Sequence, residues 1–103
     1  MTGVLPRGDA KADISAINAH YRTEAGPGTA GRFRTATAQA MALIKQNPGI
    51  GSPRIGHLLN MADLRVWPIT GFPYLIFYIH EHGQVDVLRI LHSARDIPAS
   101  LRD

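Results

Sequence analysis

The sequence of 103 residues contains no cysteine, so disulfide bonds and cysteine-ligated metal sites are excluded. It has no run of 18 apolar residues, which a membrane-spanning helix would require. The N-terminal segment has no apolar core of the length that a signal peptide needs. Together these absences predict a cytoplasmic protein that does not enter a membrane.

Charged residues are also few, at 18%, whereas hydrophobic residues make up 45% of the chain. These fractions are typical of a folded globular protein. Nine arginines and two lysines face eight acidic residues, which gives a formal charge of +3. Because the arginines are scattered, this mild excess permits an acidic partner but does not require nucleic acid. With no internal repeat, residues 1–103 are expected to form one domain.

Two helices are predicted in the N-terminal half. The first, residues 9–26, has Asp9 as its expected N-cap and Gly26 as its C-terminal glycine. Its buried face is predicted to contain Ile14, Ile17 and Tyr21. The second, residues 29–46, has a predicted buried stripe of Phe33, Ala36, Ala40, Leu43 and Ile44. Residues 47–56 have the composition of a loop.

Three strand-like segments follow, at residues 64–70, 74–80 and 84–91. Their connections are so short that neighbouring strands must run antiparallel. A fourth strand could form at residues 4–6, although Pro6 limits it. The predicted fold is therefore α+β, with an N-terminal helical hairpin packed on one face of a three- to four-stranded antiparallel sheet.

Both faces of this sheet are expected to be apolar. Tyr74, Ile76 and Tyr78 point to one side, and Leu75, Phe77 and Ile79 point to the other. In the last strand, strict alternation sets Val85, Val87 and Leu91 against Leu88 and Ile90. The helical hairpin can cover one face only, and an exposed large apolar side chain forgoes about 1.5–3 kcal/mol. No other element appears long enough to cover the second face, so a partner protein is the expected cover.

Several motifs have simple structural readings. The segment GPGTAG at 26–31 matches a dinucleotide-binding pattern, but a helix precedes it and residues 45–53 contain no acidic residue. His80 and His82 are predicted to be exposed residues of a hairpin. His92 and Ser93 are neighbours in a strand and point to opposite faces, which excludes a serine-hydrolase triad with Asp96. No metal or cofactor is expected, and none of these motifs predicts a catalytic residue.

The polar end of the last strand leaves two alternatives open. Arg65, Arg89, His92 and Arg95 could supply the cationic clamp and the acid and base of a metal-free ribonuclease. Alternatively, these residues serve local structure at the C-terminal end or contact a target. The single tryptophan, Trp67, is either a sheet residue or an anchor for a partner.

The order of four segments resembles the ParE branch of the RelE/ParE superfamily, the toxins of type II toxin–antitoxin modules. These segments are ISAINAHY, NPGIGSPR, LRVWPITGFPYLIFYIH and VDVLRILHSARD. The resemblance runs from about residue 9 to residue 96. Its most specific stretches are FPYLIFY and LRILHSARD, the latter a strand followed by a histidine and an Arg–Asp pair. The short, proline-interrupted N-terminus departs from the first strand that is usual in the family.

This resemblance implies a toxin that inhibits DNA gyrase and is neutralised by a cognate ParD-like antitoxin. The implied complex is a hetero-oligomer, a heterotetramer or larger, that contacts DNA only through the antitoxin and serves plasmid stabilisation. RelE-like relatives instead cleave mRNA on the ribosome. They carry a phosphate-binding arginine where this chain has Leu75, so the resemblance favours the non-enzymatic gyrase inhibitor over the endoribonuclease. A third alternative is an antitoxin-binding module without toxicity.

The resemblance also selects the face of the sheet that the antitoxin is expected to cover, because Leu75 aligns with the arginine of the nucleases. The antitoxin is expected to bind a groove formed by Trp67, Leu75, Phe77 and Ile79. Candidates for target contact or for C-terminal structure are Arg65, Arg89, His92 and Arg95.

Overall fold

The computed structural model describes residues 3–94. Arg95 and Asp96, which the sequence singled out, lie outside the described residues. In chain order, the elements are β1 (Gly3–Pro6), α1 (Gly8–Ala25), α2 (Pro27–Gln46), a 3-10 turn (Pro48–Ile50), α3 (Arg54–Leu58), β2 (Leu64–Pro68), β3 (Tyr74–Glu81) and β4 (Gln84–His92). The predicted α+β order of a helical hairpin followed by three strands is confirmed.

The four strands form one sheet in the order β1-β4-β3-β2. The β2–β3 and β3–β4 pairs are antiparallel, as expected from their short connections. The fourth strand does form, but β1 runs parallel to β4, so the sheet is mixed and the expectation of a fully antiparallel sheet is wrong. No tight turn links β1 to its neighbour; the chain leaves β1 through the helices, and such a long crossover permits a parallel direction.

The β3–β4 hairpin contains two features that set its geometry. Its turn is the pair His82–Gly83, with φ angles of 53° and 73°. Positive φ at both central residues is the conformation that matches the right-handed twist of a hairpin. Further along, a register shift between Phe77 and Tyr78 leaves Leu88 without a partner residue on β3. This bulge shifts the alternation of β4 by one residue.

The helical hairpin starts and turns slightly differently from the prediction. Asp9 lies in the first turn of α1 and does not cap it, because the N-cap position is Arg7 and no side chain bonds there. Gly26 does end the helix, with a φ of 90°, and its N–H donates to the carbonyl of Arg22 at 3.2 Å. Helix α2 begins at Pro27, whose fixed φ and missing N–H suit a first helical position.

The first face of the sheet, which packs against α1 and α2, carries the larger core cluster. Its strand residues are Tyr74, Ile76, Tyr78, Val85, Val87 and Ile90. Helices contribute Ile17, Phe33, Ala40 and Ile44, and Ile14 and Tyr21 pack against them as predicted. Leu43, expected in this core, is 45% exposed. Thr37 is buried instead, and its hydroxyl donates to the carbonyl of Phe33 at 2.8 Å.

The second face of the sheet carries a smaller cluster. Leu64, Val66 and Phe77 are buried there, and the partly buried residues around them are Ile55, Leu59, Leu75, Ile79, Leu88 and Leu91. Short helix α3 supplies Ile55, so the expectation that no element of the chain covers this face is wrong at its β2 end. Within residues 3–94, no helix is long and apolar enough to span a membrane.

Candidate functional site: the second face of the sheet and the polar end of β4

Three of the four predicted groove residues lie together on the second face. Phe77 is fully buried, and Leu75 and Ile79 flank it on β3 with part of their surface exposed. On β4, Leu88 and Leu91 extend this apolar surface. Leu91 pairs directly with Leu75 in the strand register. A continuous surface of half-buried aliphatic side chains therefore runs across β3 and β4.

Trp67 does not lie on this surface, which corrects its predicted grouping with Leu75, Phe77 and Ile79. In the register of β2 and β3 it pairs with Ile76, a residue of the first face, and it packs against the larger cluster. Directly paired residues share a face of the sheet, and neighbours along a strand alternate. Val66, not Trp67, therefore accompanies Phe77 on the second face.

A small depression of about 340 Å³ adjoins Ile79 at the β2 edge. Met61, Asp63 and Glu81 line it together with Ile79. On the neighbouring helix α3, the side chain of Leu58 is 76% exposed. The second face thus has partly exposed apolar side chains and, beside Ile79, a recess whose lining includes two carboxylates.

Arg65 anchors the loop that follows α2. Its Nη1 donates to the carbonyl of Gly49 at 3.2 Å and to that of Gly51 at 2.8 Å. Tyr78 holds the same loop from the sheet, since its hydroxyl donates to the carbonyl of Pro48 at 2.7 Å and accepts from the N–H of Gly51 at 2.9 Å. Burial raises the pKa of Tyr78 above its ordinary value, although the Gly51 hydrogen bond and the Arg65 charge oppose this. Arg65 thus already has intramolecular partners.

Replacing Tyr78 by phenylalanine is expected to lower the free energy of unfolding by about 1–3 kcal/mol, because the buried N–H of Gly51 and the partly buried carbonyl of Pro48 lose their partner. Since the pKa of Tyr78 is raised by folding, its contribution is complete below about pH 10 and is lost as the pH rises further. Urea unfolding at neutral and alkaline pH measures both effects. The control is Tyr74→Phe, whose hydroxyl makes no hydrogen bond within residues 3–94; equal losses in both variants would contradict the prediction.

Arg89 fastens β4 to α1. Its Nε and Nη2 donate to the two carboxylate oxygens of Asp13 at 2.8 and 3.1 Å. Asp13 Oδ2 also accepts the backbone N–H of Ile90 at 3.0 Å, at the bulge of β4. The Asp13 hydrogen bond is the main cause that raises the pKa of Arg89. Asp13 was not predicted from the sequence, although it lies one helical turn before the buried Ile17 and therefore on the same side of α1.

His92 makes a ring contact and a hydrogen bond at the C-terminal end of β4. Its ring packs edge-on against Tyr74, with centroids 5.2 Å apart, and its Nδ1 accepts the backbone N–H of Ala94 at 3.1 Å. The N–H of Ser93 donates to the carbonyl of Pro73 at 2.9 Å. Each of the three candidate polar residues within the described range therefore bonds to its own chain. Within residues 3–94, Arg65, Arg89 and His92 share no hydrogen-bond partner.

Comparison with known proteins identifies the family. The family model described as the ParE toxin of the type II toxin–antitoxin system parDE matches residues 4–97. Among solved structures, one described as the chromosomal ParDE TA system from P. aeruginosa superposes with a TM-score of 0.75. It is 22% identical, and the match covers 89% of this chain and 96% of that one, which establishes the likeness of fold. No curated protein matches the sequence.

The family match spans nearly the whole chain, and the fold agrees with it independently. The resemblance inferred from the sequence segments is therefore confirmed. This chain belongs to the ParE toxin family of type II toxin–antitoxin systems.

Proposed function

We propose that this toxin inhibits DNA gyrase and that a cognate ParD-like antitoxin neutralises it by covering the second face of the sheet. The observation that carries the proposal is the apolar surface on that face, formed by Leu75, Ile79, Leu88 and Leu91 around the buried Phe77. Helices α1 and α2 lie on the opposite face. The only described helix on the second face is α3, five residues long, which packs at β2.

The physical reason for an antitoxin on this face is the apolar area that it would remove from water. Fully burying one large aliphatic side chain stabilises a complex by about 1.5–3 kcal/mol, and these side chains are already partly buried, so each contributes less. Several such side chains in one surface are typical of the central part of a protein interface. The carboxylates beside Ile79 would lie at the rim, where Arg or Lys of the antitoxin could pair with them.

Two observations favour a non-enzymatic inhibitor over a ribonuclease. Leu75 stands where the resemblance places a phosphate-binding arginine in the nucleases, and an aliphatic side chain cannot bind phosphate. In addition, the guanidinium groups of Arg65 and Arg89 are already bonded to backbone carbonyls and to Asp13. A nuclease would need such cations to be free for the phosphate of the substrate.

Introducing a charge on the second face is expected to weaken antitoxin binding at least 100-fold. Leu75→Glu places a carboxylate in the centre of the proposed interface, where an unpaired charge is costly to bury. The measurement is calorimetric titration of the purified toxin with its antitoxin, with circular dichroism to check folding. Ser15→Glu, on the exposed side of α1, is the matched control. Should Leu75→Glu misfold, Leu75→Ala takes its place with a smaller expected loss; wild-type affinity in a folded variant would refute the assignment.

The target is tested with the toxin released from its antitoxin. Purified gyrase is expected to lose supercoiling activity and to accumulate trapped cleaved DNA, while mRNA from cells expressing the toxin shows no codon-phased cuts. Cuts without any effect on gyrase would establish the ribosome-dependent endoribonuclease instead. Normal growth on expression alone, with neither effect, would indicate an antitoxin-binding module without toxicity.

A further inference from the structure

An open groove of about 930 Å³ lies between α2 and the loop that joins β2 to β3, away from the second face. Its α2 wall extends from Gly28 to Gln39, about 16 Å along the helix axis. The loop wall is formed by Thr70, Gly71 and Phe72. Neither the proposed antitoxin surface nor the hydrogen bonds at the end of β4 involve these residues.

Gly31 in this groove is not explained by packing within the chain. A Cβ added at Gly31 would meet no atom within 4 Å, so the fold leaves room for a side chain there. Glycine inside a helix lowers its stability relative to alanine. The missing side chain instead deepens the groove on the outer side of α2. A partner backbone could therefore approach α2 closely at this position.

The charged side chains that line the groove are all positive. Its lining includes Arg32 and Arg34 and contains no aspartate or glutamate. Arg32 Nη2 donates to the hydroxyl of Thr29 at 2.8 Å, which holds its guanidinium beside the first turn of α2. Arg34 is exposed. Apart from these arginines, Gln39 and two threonines, the lining consists of glycine, alanine and phenylalanine.

We propose that this groove binds an acidic amphipathic α-helix of a partner protein. The apolar side of this partner helix would lie on Ala38 and Phe72, and the carboxylates of the partner helix would pair with Arg32 and Arg34. A helix fits better than an extended peptide, because the groove walls are a helix and a loop and offer no free strand edge for main-chain pairing. Two arginines beside an apolar floor are too few for the phosphate track that a nucleic acid needs.

This partner is distinct from an antitoxin on the second face, so both surfaces could be occupied at once.

The probe for the test is a fluorescein-labelled synthetic helical peptide of repeating leucine and glutamate. Its binding to the purified wild-type chain is measured by fluorescence anisotropy. Gly31→Leu fills the groove and should leave the melting temperature equal or higher, since a Cβ at this position meets no atom within 4 Å and leucine favours a helix more than glycine does. Arg34→Glu reverses one charge. Each is expected to weaken peptide binding at least ten-fold.

The matched control is Lys45→Glu, the same charge reversal on α2 outside the groove, with an expected change below three-fold. A peptide with lysine in place of glutamate is expected not to bind. The proposal is overturned if the acidic peptide binds no better than the lysine peptide, if both groove variants bind like the wild type, or if a DNA duplex binds more tightly and competes. Because no gyrase is present, the result is independent of the proposed target.

Discussion

Replacing Gly56 by alanine is expected to lower the free energy of unfolding by about 3 kcal/mol or more, which is at the upper end for a single added methyl group. The new Cβ would lie 2.5 Å from the carbonyl oxygen of Met61 and 2.6 Å from that of Leu64. Both are backbone atoms, so they cannot rotate away as a flexible side chain could. Helix α3 would have to separate from β2, and Ile55 would leave the second cluster.

The control for this prediction is Gly31→Ala, which also adds a methyl group to a helical glycine but meets no atom within 4 Å. It is expected to be neutral or to stabilise by up to about 1 kcal/mol through helix propensity. Urea unfolding followed by circular dichroism measures both variants. A Gly56→Ala variant as stable as the wild type would show that α3 is not held against β2 in the way the structure describes.

The sequence predicted the elements with strong local signals. The apolar spacing of Ile14, Ile17 and Tyr21 and the glycine at position 26 define α1, and both are confirmed. The strands of the meander were predicted from alternating apolar residues and short turns. These features depend on neighbours within a few residues, which is why the sequence alone reveals them.

The features that were not predicted from the sequence depend on contacts between distant segments. Strict alternation placed Leu91 with Val87, but the bulge places Ile90 on the first face and Leu91 on the second. The register shift is set by pairing with β3, and the sequence of β4 by itself does not indicate it. Likewise, the long connection between β1 and β4 permits them to run parallel, and the four residues of β1 alone do not indicate that direction.

The faces on which the candidate residues lie were predicted in part. The alternation of β3 correctly grouped Leu75, Phe77 and Ile79, but Trp67, predicted to accompany them, lies on the opposite face of the sheet. Helix α3 escaped prediction because its five residues follow a stretch rich in glycine and proline, and its position depends on the close fit of Gly56 against β2. Tertiary packing, rather than local propensity, stabilises a helix that short.

The second large effect is expected at the Asp13–Arg89 pair. Asp13→Ala should lower the free energy of unfolding by about 3 kcal/mol, because it leaves a mostly buried guanidinium and the N–H of Ile90 without their acceptor. The side chains of Arg89 and Asp13 are only 30% and 17% exposed. Arg89→Ala should cost less, about 2 kcal/mol, since Asp13 keeps its bond to Ile90.

A double-mutant cycle separates the interaction energy between Asp13 and Arg89 from the loss of the Ile90 hydrogen bond. It also tests whether the polar end of β4 has a structural role. Urea unfolding of both single variants and the double variant is expected to give a coupling energy of about 1–2 kcal/mol. The matched control is the exposed pair of Arg7 and Asp86, whose atoms are also close, at 3.1 Å, but whose coupling should stay below about 1 kcal/mol. A coupling at Asp13–Arg89 no larger than the control would mean that Arg89 is energetically free of α1 and available to a target. A larger coupling makes Arg89 a structural link, because freeing its guanidinium for a target would first require breaking the bond that holds β4 to α1.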